Sequence, residues 1–186
     1  MKQKKKVKNT MAENDNFNFN EGDYVVYPAH GVGQIEGVET QKIGDLEVSL
    51  YAISFKQDRM RLKIPVAKAQ ASGLRKLSST DRINDAMKTL QGRARSRRAM
   101  WSRRAQEYET KINSGDPVSI AEVLRDLKRS NDDTEQSYSE RQIYQSALER
   151  LAREVAAVED TTEDKACDKL ESILKPKKAV PQKAAA

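Results

Sequence analysis

The chain is predicted to be α+β, with a small β-barrel followed by a five-helix domain. Three observations carry this. Apolar residues alternate with polar ones from Phe19 to about Leu77. From Ser78 onward they recur at the i, i+3, i+4, i+7 spacing of an amphipathic helix. Glycine and proline pairs break the first half into short runs, while helix-start residues precede each run of the second.

In the first half, Tyr24 to Tyr27 is a run of strand formers closed by Pro28. His30-Gly31-Val32-Gly33 has the composition of a turn. Gln34 to Gln41 is the next strand, with Gly37 marking a bulge. Gly44-Asp45 predicts a hairpin turn, after which Leu46, Val48, Leu50 and Ala52 alternate. A polar turn at Lys56 to Arg59 leads into Met60, Leu62 and Ile64, ended by Pro65. Four or five short strands in so few residues make a small barrel. Its core is close to the lower limit for independent stability.

In the second half, Ser78 and Asp81 resemble a capping box, and Ile83, Met87 and Leu90 line one face up to Gly92. A second helix is predicted over about Arg97 to Asn113. Asp116-Pro117 is a helix cap followed by proline at the first helical position, with Ile120, Val123, Leu124 and Leu127 behind it. Ser137 and Glu140 open a fourth helix lined by Tyr144, Leu148, Leu151, Val155 and Val158. Thr161 and Asp164 open a fifth, lined by Ala166, Leu170, Ile173 and Leu174 and stopped by Pro176. The domains are therefore expected at 17–77 and 78–175. A disordered basic lead (1–16) and a disordered Lys/Ala/Pro tail (176–186) flank them; Met11 is an alternative start.

Composition narrows the function. The 186 residues are 37% hydrophobic and 33% charged, with a mean hydropathy of −0.82. No run is long and apolar enough to span a bilayer, and the lysine-rich start lacks the apolar segment of a secretory signal. One cysteine allows no internal disulfide, so a cytoplasmic protein is expected. One histidine and one cysteine cannot close a zinc site. No phosphate loop, dinucleotide fingerprint or nucleophile elbow is present. The expectation is a protein that is not an enzyme and uses no cofactor or metal. His30 reads as structural and Cys167 as a buried thiol.

The formal net charge of +6 is unevenly placed. Residues 1–10 carry five lysines and residues 175–186 four, with no acid in either. Without them the body is slightly acidic. Within that body, Arg93 to Arg104 holds six arginines (93, 95, 97, 98, 103, 104) and no acid, whereas 116–174 holds eight basic and fifteen acidic residues. Those acids, scattered at helix-face spacing, read as solvent surface. The arginine run is one local electrostatic footprint, suited to phosphates. The chain's one tryptophan, Trp101, lies inside it. Trp101, Ala105, Tyr108 and Ile112 share a helical stripe, so the indole either continues the bundle core or stands free among the arginines as a wedge for nucleic acid. Arg97, Arg98, Arg103 and Arg104 are the flanking candidates for phosphate contact.

Four strings together resemble the CarD/CdnL family of bacterial transcription factors. They are GDYVVYPAHGVGQIEGVET (22–40), LKIP (62–65), WSRR (101–104) and KINSGDPVSIAEVLRDL (111–127). The resemblance covers about 19–174. The first string alone is also similar to a module of the transcription-repair coupling helicase, whose motor motifs this chain lacks. The resemblance implies a Tudor/SH3-like first domain that binds the RNA polymerase β subunit through a strand edge. It implies a helical domain that meets promoter DNA at the upstream edge of the melted bubble, without reading base sequence. There the tryptophan matching Trp101 wedges into the minor groove, basic residues matching Arg103 and Arg104 hold the backbone, and the open complex is stabilised. The polymerase contact is expected around Thr40, Gln41 and Lys63. Mycobacterial-type members have arginines at the last two positions; Gln41 loses that charge, and Lys63 keeps it without the guanidinium fork. A monomer associated with the nucleoid through polymerase is expected, with no membrane partner. The terminal Ala184-Ala185-Ala186 resembles tails taken by Clp-type proteases.

Overall fold

The computed structural model describes residues 18–44, 46–56, 59–95, 99–128 and 137–175. The basic lead, the alanine tail, Asp45 of the hairpin turn and the pair Arg97 and Arg98 lie outside the described residues.

Five strands form one antiparallel sheet: β1 (Tyr24–Tyr27), β2 (Gly31–Ile43), β3 (Leu46–Phe55), β4 (Met60–Pro65) and β5 (Arg75–Lys76). Their order is β4-β3-β2-β1-β5. The sheet wraps a core of Phe19, Val25, Ile35, Ile53, Phe55 and Leu74. β2 and β3 are long rather than short. The bulge falls where Gly37 predicts it, with a register shift between Ile35 and Gly37.

Two details of the strand reading are corrected. The expected turn at His30 to Gly33 is instead the start of β2. The turn closes earlier, where His30 donates its N–H to the Tyr27 carbonyl at 3.1 Å. Gly33 is there for packing, since a Cβ would lie 2.8 Å from both Ile53 and Phe55. In β3 the core face is Tyr51, Ile53 and Phe55, not the Leu46–Ala52 series, and Leu46 is 71% exposed. Leu50 to Ile53 is apolar at every position and buried on both faces, so alternation there cannot choose a side.

The helices are α1 (Thr80–Gln91), α2 (Trp101–Asn113), α3 (Pro117–Leu127), α4 (Tyr138–Val158) and α5 (Glu163–Leu174). Ile83, Leu90, Leu124, Leu151, Val155 and Leu170 lie at the centre of their common core. Asp116 caps α3 and Pro117 is its first residue. Ser137 and Glu140 make the full reciprocal capping box of α4. Three starts differ from expectation. α1 is capped by Ser79, because Ser78 is used elsewhere: its N–H donates to Glu154 at 3.1 Å. α5 is capped by Thr162, because Thr161 still donates to Ala156 at the end of α4. α2 begins at Trp101 rather than Arg97; upstream, the Arg95 N–H is held by the Asp126 carboxylate at 3.0 Å.

Contacts orient the helices. Arg82 pairs with Asp116 at the starts of α1 and α3, and Gly92 meets Arg125 near their ends, so these helices run the same way. Arg104 meets Glu140 at the starts of α2 and α4. The other ends of α2 and α4 face the sheet: Arg150 donates to the Pro28 and Ala29 carbonyls, and Gly115 packs on Pro28. One tip of the helical half, remote from the sheet, thus gathers the starts of α2 and α4 and the ends of α1 and α3. At 1.5 Å per residue, Trp101 stands about 20 Å from Gly115.

Candidate nucleic-acid interface

Trp101 is the first residue of α2 and sits at this tip. Its cap residue, Met100, is 80% exposed and supplies no side-chain acceptor, and the first turn contains no acid. The other four helices are each capped by a hydroxyl or carboxylate. An uncapped start leaves backbone N–H groups and the positive end of the helix dipole turned outward, which suits an anion.

The indole is largely buried, with a minor part of its surface exposed. One side packs against the helical core, with its ring 6.4 Å from that of Tyr108 at 54°. Arg104 lies over the ring at 5.3 Å from its centre. Neither sequence reading of Trp101 holds whole: it packs on the core and keeps part of its surface exposed.

The arginines divide. Arg103 points to solvent, its side chain 79% exposed, with only a long contact of 3.8 Å to Glu107. Arg104 turns inward, its side chain 25% exposed and 3.6 Å from the buried Glu140 carboxylate. Its position over the indole makes it a support for Trp101. Arg93 and Arg95 are exposed on the strap between α1 and α2. That strap is pinned by Asp126, whose buried carboxylate also accepts from Arg125 Nε at 2.9 Å.

Asp126, Glu140 and Glu154 correct the reading of this region's acids as solvent surface, for all three are buried. Only Glu140 carried a sequence signal, its spacing from Ser137. Glu122, itself partly buried, is drawn below its ordinary pKa chiefly by the hydrogen bond from Lys111, against the opposing effect of burial.

On the sheet, Gln41 pairs with Val48 and Lys63 with Ala52, which places Gln41 and Lys63 on one face. Thr40, opposite Ser49, is on the other. Lys63 reaches across β3 to Glu39 at 2.6 Å. β1 covers β2 only along Gly31 to Gln34, so among the described residues the β2 edge beyond Gly37 has no partner strand. His30 stacks on Tyr27 with ring centres 5.7 Å apart. Burial pushes the Cys167 thiol above its ordinary pKa, which keeps it protonated. No cluster of metal-ligating side chains occurs among the described residues. No described helix is long and apolar enough to cross a membrane.

Residues 19–78 match the family described as the CarD-like/TRCF RID domain. Residues 85–171 match the CarD C-terminal domain. The chain belongs to the CarD family. It is 30% identical over 145 residues to a Bacillus subtilis (strain 168) protein named "Putative transcription factor YdeB". That alignment covers 78% of this chain and 95% of the relative. The first CarD match ends beside the sheet's last strand, and the second begins within α1. This is a CarD-like transcription regulator, with a Tudor-like sheet domain and a helical domain.

Proposed function

We propose that this CarD-family chain regulates transcription initiation by tethering itself to the RNA polymerase β subunit and holding the promoter bubble open with Trp101. The sheet supplies the tether through the open β2 edge and the Gln41–Lys63 face, where main-chain pairing gives affinity and the flanking side chains give register. The tip supplies the wedge. The observation that carries this reading is the placement of a partly exposed indole on an uncapped helix start, among exposed arginines and without an acid in the first turn. Arg103, Arg93 and Arg95 contact phosphates, Arg97 and Arg98 extend the same run, and the outward N–H groups of α2 add a fixed donor set.

The test is the decay of open promoter complexes after a competitor is added, with and without the protein. A prolonged lifetime, lost when β cannot be bound, supports the reading. Binding to DNA with equal effect in the absence of polymerase supports a stand-alone nucleic-acid-binding protein instead. The contact of Trp101 with Tyr108 favours a second reading, an adaptor whose tryptophan is a core residue. Fluorescence separates them: an indole in DNA contact is quenched when DNA is added, and a core indole is not.

A further inference from the structure

We propose that Glu154, with Arg75 and Arg150, is a positioning site that fixes the angle between the sheet and the helical tip, and that bubble stabilisation depends on this angle. The inference rests on the proposed function. The Glu154 carboxylate is buried in α4 and belongs to neither hydrophobic core. It accepts from Arg75 Nη1 at 2.7 Å and Nη2 at 2.9 Å, and from the Ser78 N–H at 3.1 Å. The same Arg75 guanidinium donates to the Lys76 carbonyl, the Ser78 hydroxyl and the Gly115 carbonyl. One planar fork therefore ties β5, the interdomain link, the α2–α3 turn and α4 together.

One turn earlier on α4, Arg150 donates to Pro28 at 2.7 Å and Ala29 at 2.6 Å in the β1–β2 turn. The turn opposite needs its glycine. Gly115 has φ +70, a left-handed conformation that residues with a Cβ rarely adopt. Beside these polar ties a cleft of about 220 Å³ lies between the halves, bordered by His30, Phe55, Arg153 and Thr161.

Direction is what such a pair contributes. A buried ion pair is a poor source of net stability, but a bidentate guanidinium–carboxylate contact tolerates little rotation. With an arm of about 20 Å, a rotation of roughly 10° moves the tip by about 3–4 Å, close to one base step. A wedge held at both ends, on β and on DNA, depends on that distance; a wedge binding DNA alone does not.

The experiment uses the full chain with Glu154→Gln, which keeps size and loses charge. Arg150→Ala, a milder change at the rim, is the second variant in case the first does not fold. Four quantities are measured: affinity for isolated β, affinity for forked DNA alone, open-complex lifetime, and the distance distribution between spin labels at Leu46→Cys and Tyr138→Cys in a Cys167→Ser background. The expected result is unchanged affinity for each partner alone, a broader distance distribution, and an open-complex lifetime shortened about fivefold or more. A wild-type lifetime despite a broadened distribution overturns the proposal. So does an unbroadened distribution, or a loss of β or DNA affinity in proportion to the lost lifetime. If the wild-type chain itself does not prolong the open complex, the reading of function falls; the clamp is then judged by the distance distribution alone.

Discussion

Replacing Trp101 with alanine should weaken binding to DNA that is already open and leave closed duplex nearly untouched. An indole offers about 150–250 Å² of apolar surface, or roughly 4–6 kcal/mol if all of it leaves water. Trp101 already has most of its surface buried against the Tyr108 side of the core. At most about a third of that gain, ~1–2 kcal/mol, is therefore left for DNA. Unstacking a base step costs a few kcal/mol. The wedge cannot open a duplex by itself; it can occupy a step that polymerase has opened. Trp101→Ala should thus cost ~1–2 kcal/mol, about five- to thirtyfold in affinity, on a fork junction. The same change should also cost the fold ~2–3 kcal/mol, about two thirds that of a fully buried tryptophan, so a folded variant remains to be measured. Fluorescence anisotropy with labelled fork and duplex of the same sequence, beside a circular-dichroism melt, is the assay. Equal loss on fork and duplex, or loss of helical signal at assay temperature, would refute the reasoning.

Arg103→Ala should lower the slope of log affinity against log salt by about one, whereas Arg104→Ala should change that slope less and shift the Trp101 emission instead; identical slopes for the two contradict their different placements. Asp126→Ala should release the strap bearing Arg93 and Arg95 and weaken DNA binding at low salt, as read by titration; unaltered affinity shows that the pinning does not matter. Lys63→Glu sets a carboxylate beside Glu39 and should reduce affinity for β by pull-down while the melting temperature stays within a few degrees. Burial raises the Asp116 pKa, but hydrogen bonds from Arg82 and Ser119 outweigh it and hold the carboxyl below its ordinary value. Its stabilising effect is then complete above the unfolded pKa of about 4 and is lost as pH falls through the lower folded value. Asp116→Asn should therefore be less stable at neutral pH and equal to wild type well below that range, measured as urea midpoints against pH.

Much of the fold was legible because local chemistry and tertiary structure agree. Asp116-Pro117 and Ser137 with Glu140 are where helices start, since no other residues satisfy the orphan N–H groups as well. The strand turns at Pro28 and Gly44 and the Gly37 bulge were legible for the same reason. Where the reading slipped, a residue had a second use. Ser78 has a hydroxyl and an N–H suited to capping, but both are engaged in the contact with Arg75 and Glu154. The Leu50 to Ile53 run is buried on both sides, so its period carries no information about which side faces the core.

The candidate site stands out in composition but not in orientation. The run from Arg93 to Arg104 holds six arginines and no acid, yet nothing in that string separates Arg103 from Arg104. They differ because α4 brings Glu140 to one of them, and Glu140 lies thirty-six positions further on. The same is true of Glu154, which by spacing alone resembles any exposed helical glutamate and in the structure meets a fork from β5. Charge-bearing residues near the ends of long helices take their roles from what the chain folds against them. A local run of like charge therefore nominates a surface, while the buried acids opposite it decide which of its arginines face solvent.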